Sequence, residues 1–361
     1  MTLALSLASS ERTLARGAQN ARQGWATRAA CIITLKSDTG LRGVGEASPL
    51  PGFSRDSLAQ CQTALAALDL AELPCYLEPG QSARVELARA SAQLPHGVPA
   101  ARAALEGALL DLWSRAVQKP AWALLLDEAA ATPRRRAVAA LLMAEPEQAL
   151  AQARRAQARG IRTFKLKIGR PGALERELST LQSLRAQLGP EARLRLDANQ
   201  SLSASEARAC LPRFAEQGVE YVEEPCARTE LGGLAELQVP FALDESLAEL
   251  AGATNITEQL RAPGVSALIL KPTLLGGVSA CYAWAEIAAE LNASVILSHA
   301  FEGPVGLGLS AALALAIGSE TAAHGLDLEG ARLEHVKLPF FSGAQLEPWS
   351  EPGFGDWQGS A

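Results

Sequence analysis

Two rhythms of apolar and polar positions divide the chain. Over roughly the first 100 residues, short apolar segments at 2–8, 29–36 and 41–47 predict strands. The last two are joined by Ser37-Asp38-Thr39-Gly40, a hairpin signal. The spacing predicts helices over 56–71, beginning after Ser54, and over 99–117. Prolines and glycines between Pro74 and Pro99 predict a loop with at most a short helix. From about Arg135 the rhythm changes. Predicted strands at 136–142, 163–168, 193–197, 219–223, 240–244, 266–271 and 294–298, with a last short one near 324–328, alternate with helical stretches. Those stretches include 145–159, 172–188, 203–217 and 276–291. Eight strands spaced this way predict a closed parallel barrel. A doubly wound open sheet is the alternative, but its Gly-rich fingerprint would follow the first strand, and none follows residue 142. The fold class is therefore α/β, a barrel over 135–330 behind an α+β unit over 1–100.

Composition narrows the function. With 48% hydrophobic and 20% charged residues, the chain of 361 can bury a large core without metal or disulfide staples. A net charge of −6 gives no overall attraction to nucleic acid or an anionic membrane. The longest apolar run, Val305 to Ile317, has the length of a buried helix rather than a membrane span. No basic residue precedes the apolar patch of MTLALSLASSERTLARG, which reads as a first strand and not a signal peptide. Cys31, Cys61, Cys75, Cys210, Cys226 and Cys281 form no CxxC pair, and the four histidines are scattered, so no zinc pattern arises. Scattered thiols suit packing roles in a reducing cytoplasm. The 33 basic residues comprise 27 Arg and 6 Lys, so a lysine here stands out as chosen for its own chemistry.

In a parallel barrel the active site lies at the C-terminal ends of the strands. Those ends carry Lys165 and Lys167, then Asp197 and Asn199, Glu223-Glu224, Asp244-Glu245, and Lys271. In Thr163-Phe164-Lys165-Leu166-Lys167-Ile168, period two puts both lysines on the barrel-facing side. Mutual repulsion and burial would lower their pKa values and suit one to act as a general base. Asp197, Glu223 and Asp244 would repel one another unless a cation joined them, and oxygen ligands favour Mg2+ or Mn2+. Glu224 and Glu245 compete with their neighbours for the ligand role. Lys271, opposite the lysine pair, would stabilise an enolate formed by removal of a proton α to a carboxylate. Arg195, Asn199, Ser298, His299, Phe301 and Gly325 are candidate substrate contacts. His299 is equally a candidate acid or a structural imidazole. The segment from Gly43 to Ser54 reads as a loop that could cap the barrel mouth.

The set Lys165-Leu166-Lys167, Asp197-Ala198-Asn199, Glu223-Glu224-Pro225, Asp244-Glu245-Ser246 and Lys271-Pro272-Thr273 resembles the enolase superfamily over essentially the whole chain. Within it, Gly45-Glu46 running into Pro49-Leu50-Pro51-Gly52-Phe53-Ser54 resembles the o-succinylbenzoate synthase family. The resemblance implies a modified TIM barrel, (β/α)7β, with an α+β capping domain joined by helix 99–118 and by a C-terminal segment, 331–361, that returns to the cap. It also implies a carbon–oxygen lyase of menaquinone biosynthesis, performing Mg2+-dependent syn dehydration of 2-succinyl-6-hydroxy-2,4-cyclohexadiene-1-carboxylate to 2-succinylbenzoate. By that pattern Lys167 is the base, Lys271 stabilises the dienolate, and Lys165 tunes Lys167 and contacts the substrate carboxylate. Asp197, Glu223 and Asp244 hold the metal. Residues 15–25, with Arg16, Arg22, Gly17 and Gly24, resemble a loop that closes over substrate. The seventh-strand segment Ser298-His299-Ala300-Phe301 departs from the small polar residues of the pattern. Asp327-Leu328-Glu329 resembles the dipeptide epimerases, which hold a substrate amine with acids on the eighth strand. An N-succinylamino acid racemase or dipeptide epimerase, with Lys167 and Lys271 on opposite faces of the α-carbon, is the second reading. The partner is a small carboxylate; monomer and homo-oligomer both remain open.

Overall fold

The computed structural model describes residues 2–19, 24–126, 133–142, 146–261, 264–333 and 335–355. The chain opens with an antiparallel sheet of β1 (Leu3–Gln19), β2 (Gly24–Ser37) and β3 (Arg42–Ala47). In β2, Cys31, Ile33 and Leu35 are fully buried while Ile32 and Thr34 are only partly so, as strand alternation requires. The strand β1 runs far beyond 2–8. Its polar half, Ser9 to Thr13, pairs residue for residue with Cys31 back to Thr27, so β2 supplies a pattern that β1 lacks. Helices α1 (Leu58–Ala66), α2 (Ala83–Ser91), α3 (Pro99–Ala116) and α4 (Ala121–Leu125) follow. The helix expected over 56–71 is shorter: Ser57 caps it with Gln60 in a capping box, and a 3-10 turn at Leu70–Glu72 is separate. β3 lies directly on α3. A Cβ on Gly43 would sit 2.1 Å from the Ala108 carbonyl oxygen, and one on Gly45 only 1.9 Å from that of Ala104. Only glycine permits this approach.

The strand expected over 136–142 is split. β4 (Arg136–Ala137) pairs antiparallel with Gln345–Leu346 near the C-terminus, outside the barrel sheet. The barrel elements begin with β5 (Ala139–Leu142), α5 (Pro146–Ala158), β6 (Thr163–Lys167), α6 (Leu174–Leu188), β7 (Arg193–Asp197), α7 (Ala204–Ala215), β8 (Val219–Glu223) and β9 (Phe241–Leu243). They continue through α8 (Glu245–Leu250), α9 (Ile256–Arg261), β10 (Val265–Leu270), α10 (Pro272–Leu275), α11 (Val278–Leu291), β11 (Ser294–Leu297) and α12 (Pro304–Ala316). Strands β5 to β11 form one seven-stranded sheet in sequence order, every neighbouring pair parallel. The expected eighth strand at 324–328 shrinks to two residues. His324 bridges Val138 and Gly325 bridges Ser298, so this short segment joins the two edges of the sheet. The result is the (β/α)7β barrel.

In β6, Phe164 and Leu166 are buried on the helix-facing side, leaving Lys165 and Lys167 on the inner face. Register builds two inner layers. Lys165 lies beside Arg195 and Arg195 beside Tyr221; one layer higher, Lys167 lies beside Asp197 and Asp197 beside Glu223. Tyr221, Ala242, Ala267, Ile269, Ile296 and Ala322 pack the barrel floor. The run around 305–317 is the buried helix α12. Among the described residues no helix is long and apolar enough to cross a membrane. Near the C-terminus, Gly353 bridges Pro120 and the Phe354 amide donates to Asp111 of α3 at 3.0 Å.

Candidate active site

The strand ends gather the expected charged residues in one place. Lys165 Nζ lies 2.6 Å from Glu223 Oε1 and 2.7 Å from Asp197 Oδ2. Lys167 Nζ donates to Asp197 Oδ2 at 2.5 Å and to Asn199 Oδ1 at 2.8 Å. Lys271 Nζ pairs with Asp244 Oδ2. Asn199 in turn donates to Glu245 Oε1 at 2.7 Å. Among the described residues no three His, Cys, Asp or Glu side chains are grouped as a ready metal site; the ammonium of Lys165 bridges Asp197 and Glu223 instead.

The competition within the two acidic pairs resolves for Glu224. Its carboxylate accepts from the Asp244 and Ser246 amides at 2.7 and 2.8 Å, and from Ser246 Oγ and Gln200 Nε2 at 2.8 Å each. It shapes the end of β9 from behind. Glu223 Oε2 and Glu245 Oε2, by contrast, are buried without a hydrogen-bond partner. An orphaned carboxylate oxygen beside other carboxylates calls for a cation. Oxygen donors without His or Cys suit a hard dication, so the residues present fit one.

Electrostatics correct one expectation. Burial opposes the charge on Lys165, but Asp197, Glu223 and Asp244 outweigh it and raise its pKa well above the ordinary value. Burial likewise opposes the charge on Lys271, and Asp244 outweighs it, again raising the pKa. Repulsion between lysines loses to attraction by the carboxylates. Asp197 carries the compensating charge: burial opposes it, yet Lys165 and Lys167 hold its carboxyl far below the usual range. Burial, reinforced by Asp197, pushes Glu223 up to about 8. His299 is corrected too. Burial, with Lys271 and Lys165 nearby, lowers its pKa to about 3, and Nδ1 accepts from the Phe301 amide at 3.2 Å. It is a neutral imidazole near neutral pH, not an acid.

One cavity is lined by Lys165, Lys167, Arg195, Asn199, Glu223, Lys271, Ser298, His299, Phe301 and Gly325. Asp197 lies behind the lysines. Asp244 and Glu245 face an adjoining cavity that shares Lys271 and Phe53 with the first. Arg195 is buried, donating to Glu220 at 2.6 Å and to the Ala323 carbonyl at 2.7 Å, with its guanidinium 4.9 Å from the Tyr221 ring centre. A Cβ on Gly325 would come within 2.6 Å of Ser298 Oγ, so the wall there is bare backbone. Asp327 also reaches the wall, but both its oxygens accept from Arg159 at 2.9 and 3.0 Å. Glu329 is held by Arg155 and Arg159, each at 2.6 Å.

The Gly43–Ser54 segment divides: its first half is β3, and its second half roofs the cavity with Leu50 and Phe53. Phe53 stands 5.3 Å from Lys271 Nζ, over the ring face. Trp25 joins the roof and donates to the Pro51 carbonyl at 3.0 Å. Sequence reasoning missed Tyr221 and did not single out Trp25 within the segment 15–25. Tyr221 was reachable, because it lies two residues before Glu223 on the inner face, as Arg195 lies before Asp197. The side chains of Arg16 and Arg22 lie outside the described residues.

A lysine pair facing a third lysine over a bed of carboxylates, at the mouth of a capped barrel, defines a class. Two family profiles match: "Mandelate racemase / muconate lactonizing enzyme, N-terminal domain" over residues 4–125, and "Enolase C-terminal domain-like" over 148–355. The chain belongs to the enolase superfamily. It is 37% identical to the o-succinylbenzoate synthase of Mycobacterium ulcerans over 43% of this chain, spanning about half (47%) of that relative's length. It is 29% identical to the o-succinylbenzoate synthase of Klebsiella pneumoniae over 90% of this chain and 88% of the relative. It is also 29% identical to the hydrophobic dipeptide epimerase of Citrifermentans bemidjiense over 78% and 76% of the two chains. The solved L-Ala-D/L-Glu epimerase of Bacillus subtilis superposes with a TM-score of 0.84 at 22% identity, covering 100% of this chain and 99% of that one, and shares the fold.

Proposed function

We propose that this chain is an o-succinylbenzoate synthase, dehydrating 2-succinyl-6-hydroxy-2,4-cyclohexadiene-1-carboxylate to 2-succinylbenzoate. The observation that carries this choice within the superfamily is the end of the eighth strand. Gly325 presents no side chain, and the acids that would hold a substrate amine, Asp327 and Glu329, already bind Arg159 and Arg155. The sequence likeness to the synthases of M. ulcerans and K. pneumoniae supports the same reading.

Asp197, Glu223 and Asp244 are the residues that would hold Mg2+, with Glu245 reaching Asp197's neighbour Asn199 from behind. Bound there, the ion supplies positive charge against which a substrate carboxylate can become an enolate. Lys167 then removes the ring proton α to the carboxylate. Lys271, four strands away on the same cavity, keeps its proton and offsets the charge that develops. Lys167 returns its proton to the hydroxyl leaving from the same face, so water departs and the ring becomes aromatic. Lys165 orients the carboxylate. Arg195, Asn199, Ser298, His299, Phe301 and Gly325 form the walls that fix the ring and its chain.

A second reading, dipeptide epimerisation, rests on the position of Asp327 at the cavity wall and on the likeness to the C. bemidjiense enzyme. Solvent deuterium exchange separates the lysine roles in either case. In D2O with Mg2+, the wild type should wash deuterium into the α position of a bound carboxylate. Lys167→Ala should abolish exchange at the face it serves while circular dichroism stays unchanged; exchange at the wild-type rate would remove Lys167 from the base role.

A further inference from the structure

Phe301 has a left-handed backbone, φ +61°, a conformation that a bulky side chain rarely adopts. Such strain persists only where the surroundings hold it, and it gathers at functional sites. Here the clamp comes from the other end of the chain. The Phe301 carbonyl accepts from Arg12 Nη2 at 2.9 Å and from Arg28 Nε at 3.4 Å, both on the β1–β2 hairpin of the cap. Arg12 also donates to the carbonyls of Glu302 and Arg332, at 3.0 and 2.8 Å. Arg28 is buried and ties the same point to the Ser48 and Pro49 carbonyls, at 2.5 and 2.7 Å.

The clamp fixes where the ring goes. Phe301 lies 6.1 Å from the Trp25 ring and 5.2 Å, edge-on, from the His299 ring. It closes an apolar cluster with Leu14, Leu50 and Leu274 on the seam between cap and barrel, apart from the main core. Its ring lines the same cavity as the three lysines. The cavity therefore has two chemistries: cations for carboxylates on one side, and a rigid aromatic wall on the other. Flat unsaturated rings gain from such a wall beyond simple area burial.

We propose that Phe301 is a specificity-determining residue that selects a carboxylic acid built on a planar ring, and that Arg12 and Arg28 are positioning residues that hold it. The choice of ring acid rests on the reaction proposed above. The test is calorimetric titration of the full chain with Mg2+, using 2-succinylbenzoate and, lacking the ring, N-succinylglycine. The wild type should prefer the ring acid. Phe301→Ala should weaken the ring acid about 3- to 10-fold more than it weakens N-succinylglycine. Phe301→Leu, which keeps apolar bulk, should show the same selective loss if the alanine variant folds poorly. Arg12→Met should cut the preference in the Phe301 background and have no further effect on it in the Phe301→Ala background. Three results overturn the proposal: no preference in the wild type, equal loss for both ligands, or an Arg12→Met effect that ignores residue 301. The dehydration reading fails separately, if the ring acid binds selectively through Phe301 but the cyclohexadiene is not converted.

Discussion

Replacing His324 by asparagine should flatten the pH dependence of stability below about pH 6. His324 is fully buried where the shortened eighth strand joins the sheet edges. Its Nδ1 accepts from the Leu297 amide at 3.0 Å. Burial first, then the nearby Arg136 and Arg195, lower its pKa to about 3. In the unfolded chain a histidine titrates near about 6.5. Between those values the unfolded state binds the extra proton, so stability falls as pH falls. The slope is about 1.4 kcal/mol per pH unit, which amounts to roughly 2.7 kcal/mol lost by about pH 4.5. Asparagine can still accept from the Leu297 amide but takes no proton. Urea unfolding at a series of pH values between 7 and 4.5 gives the two curves. They should diverge by about one proton's worth of slope. Parallel curves would show that folded His324 is protonated as readily as in the open chain, and the burial argument would fail.

Other expectations follow from the same geometry. Asp197→Asn should weaken Mg2+ binding at least ~10-fold by calorimetry without changing the circular dichroism; equal affinity in both proteins would mean that the ligand set is wrong. Gly325→Ala places a methyl against Ser298 Oγ, and should lower kcat/KM about 10-fold with little change in Tm; unchanged kinetics would remove these two residues from the substrate wall. Gly45→Ala drives a Cβ into the Ala104 carbonyl, and should cost about 3 kcal/mol or more in thermal unfolding; a wild-type Tm would refute the close packing of β3 on α3.

The barrel was legible because its strands are short, apolar and evenly spaced, and because their chemistry stands at their ends. Period two in Thr163–Lys167 placed both lysines inward, and register then aligned Lys167 with Asp197 and Glu223. What stayed hidden depends on partners distant in sequence. The outer half of β1 is polar and becomes a strand only because β2 pairs with it. The eighth strand shrank because two bridging residues suffice to join the edges. The directions of the Lys165 and Lys271 shifts could not be read from the lysines alone; they follow from which carboxylates each ammonium touches. Nothing local in Arg12 announces the Phe301 carbonyl 289 positions away. Glu224 looked like a rival ligand until its four donors were in view.

The most direct measurement is the ultraviolet assay of purified protein with Mg2+ and the cyclohexadiene carboxylate, run beside polarimetry on dipeptides and N-succinyl amino acids. An o-succinylbenzoate synthase should give fast aromatisation and slow or absent loss of optical rotation. Fast epimerisation with weak aromatisation would contradict that reading, and would move the function to an isomerase on the same lysines.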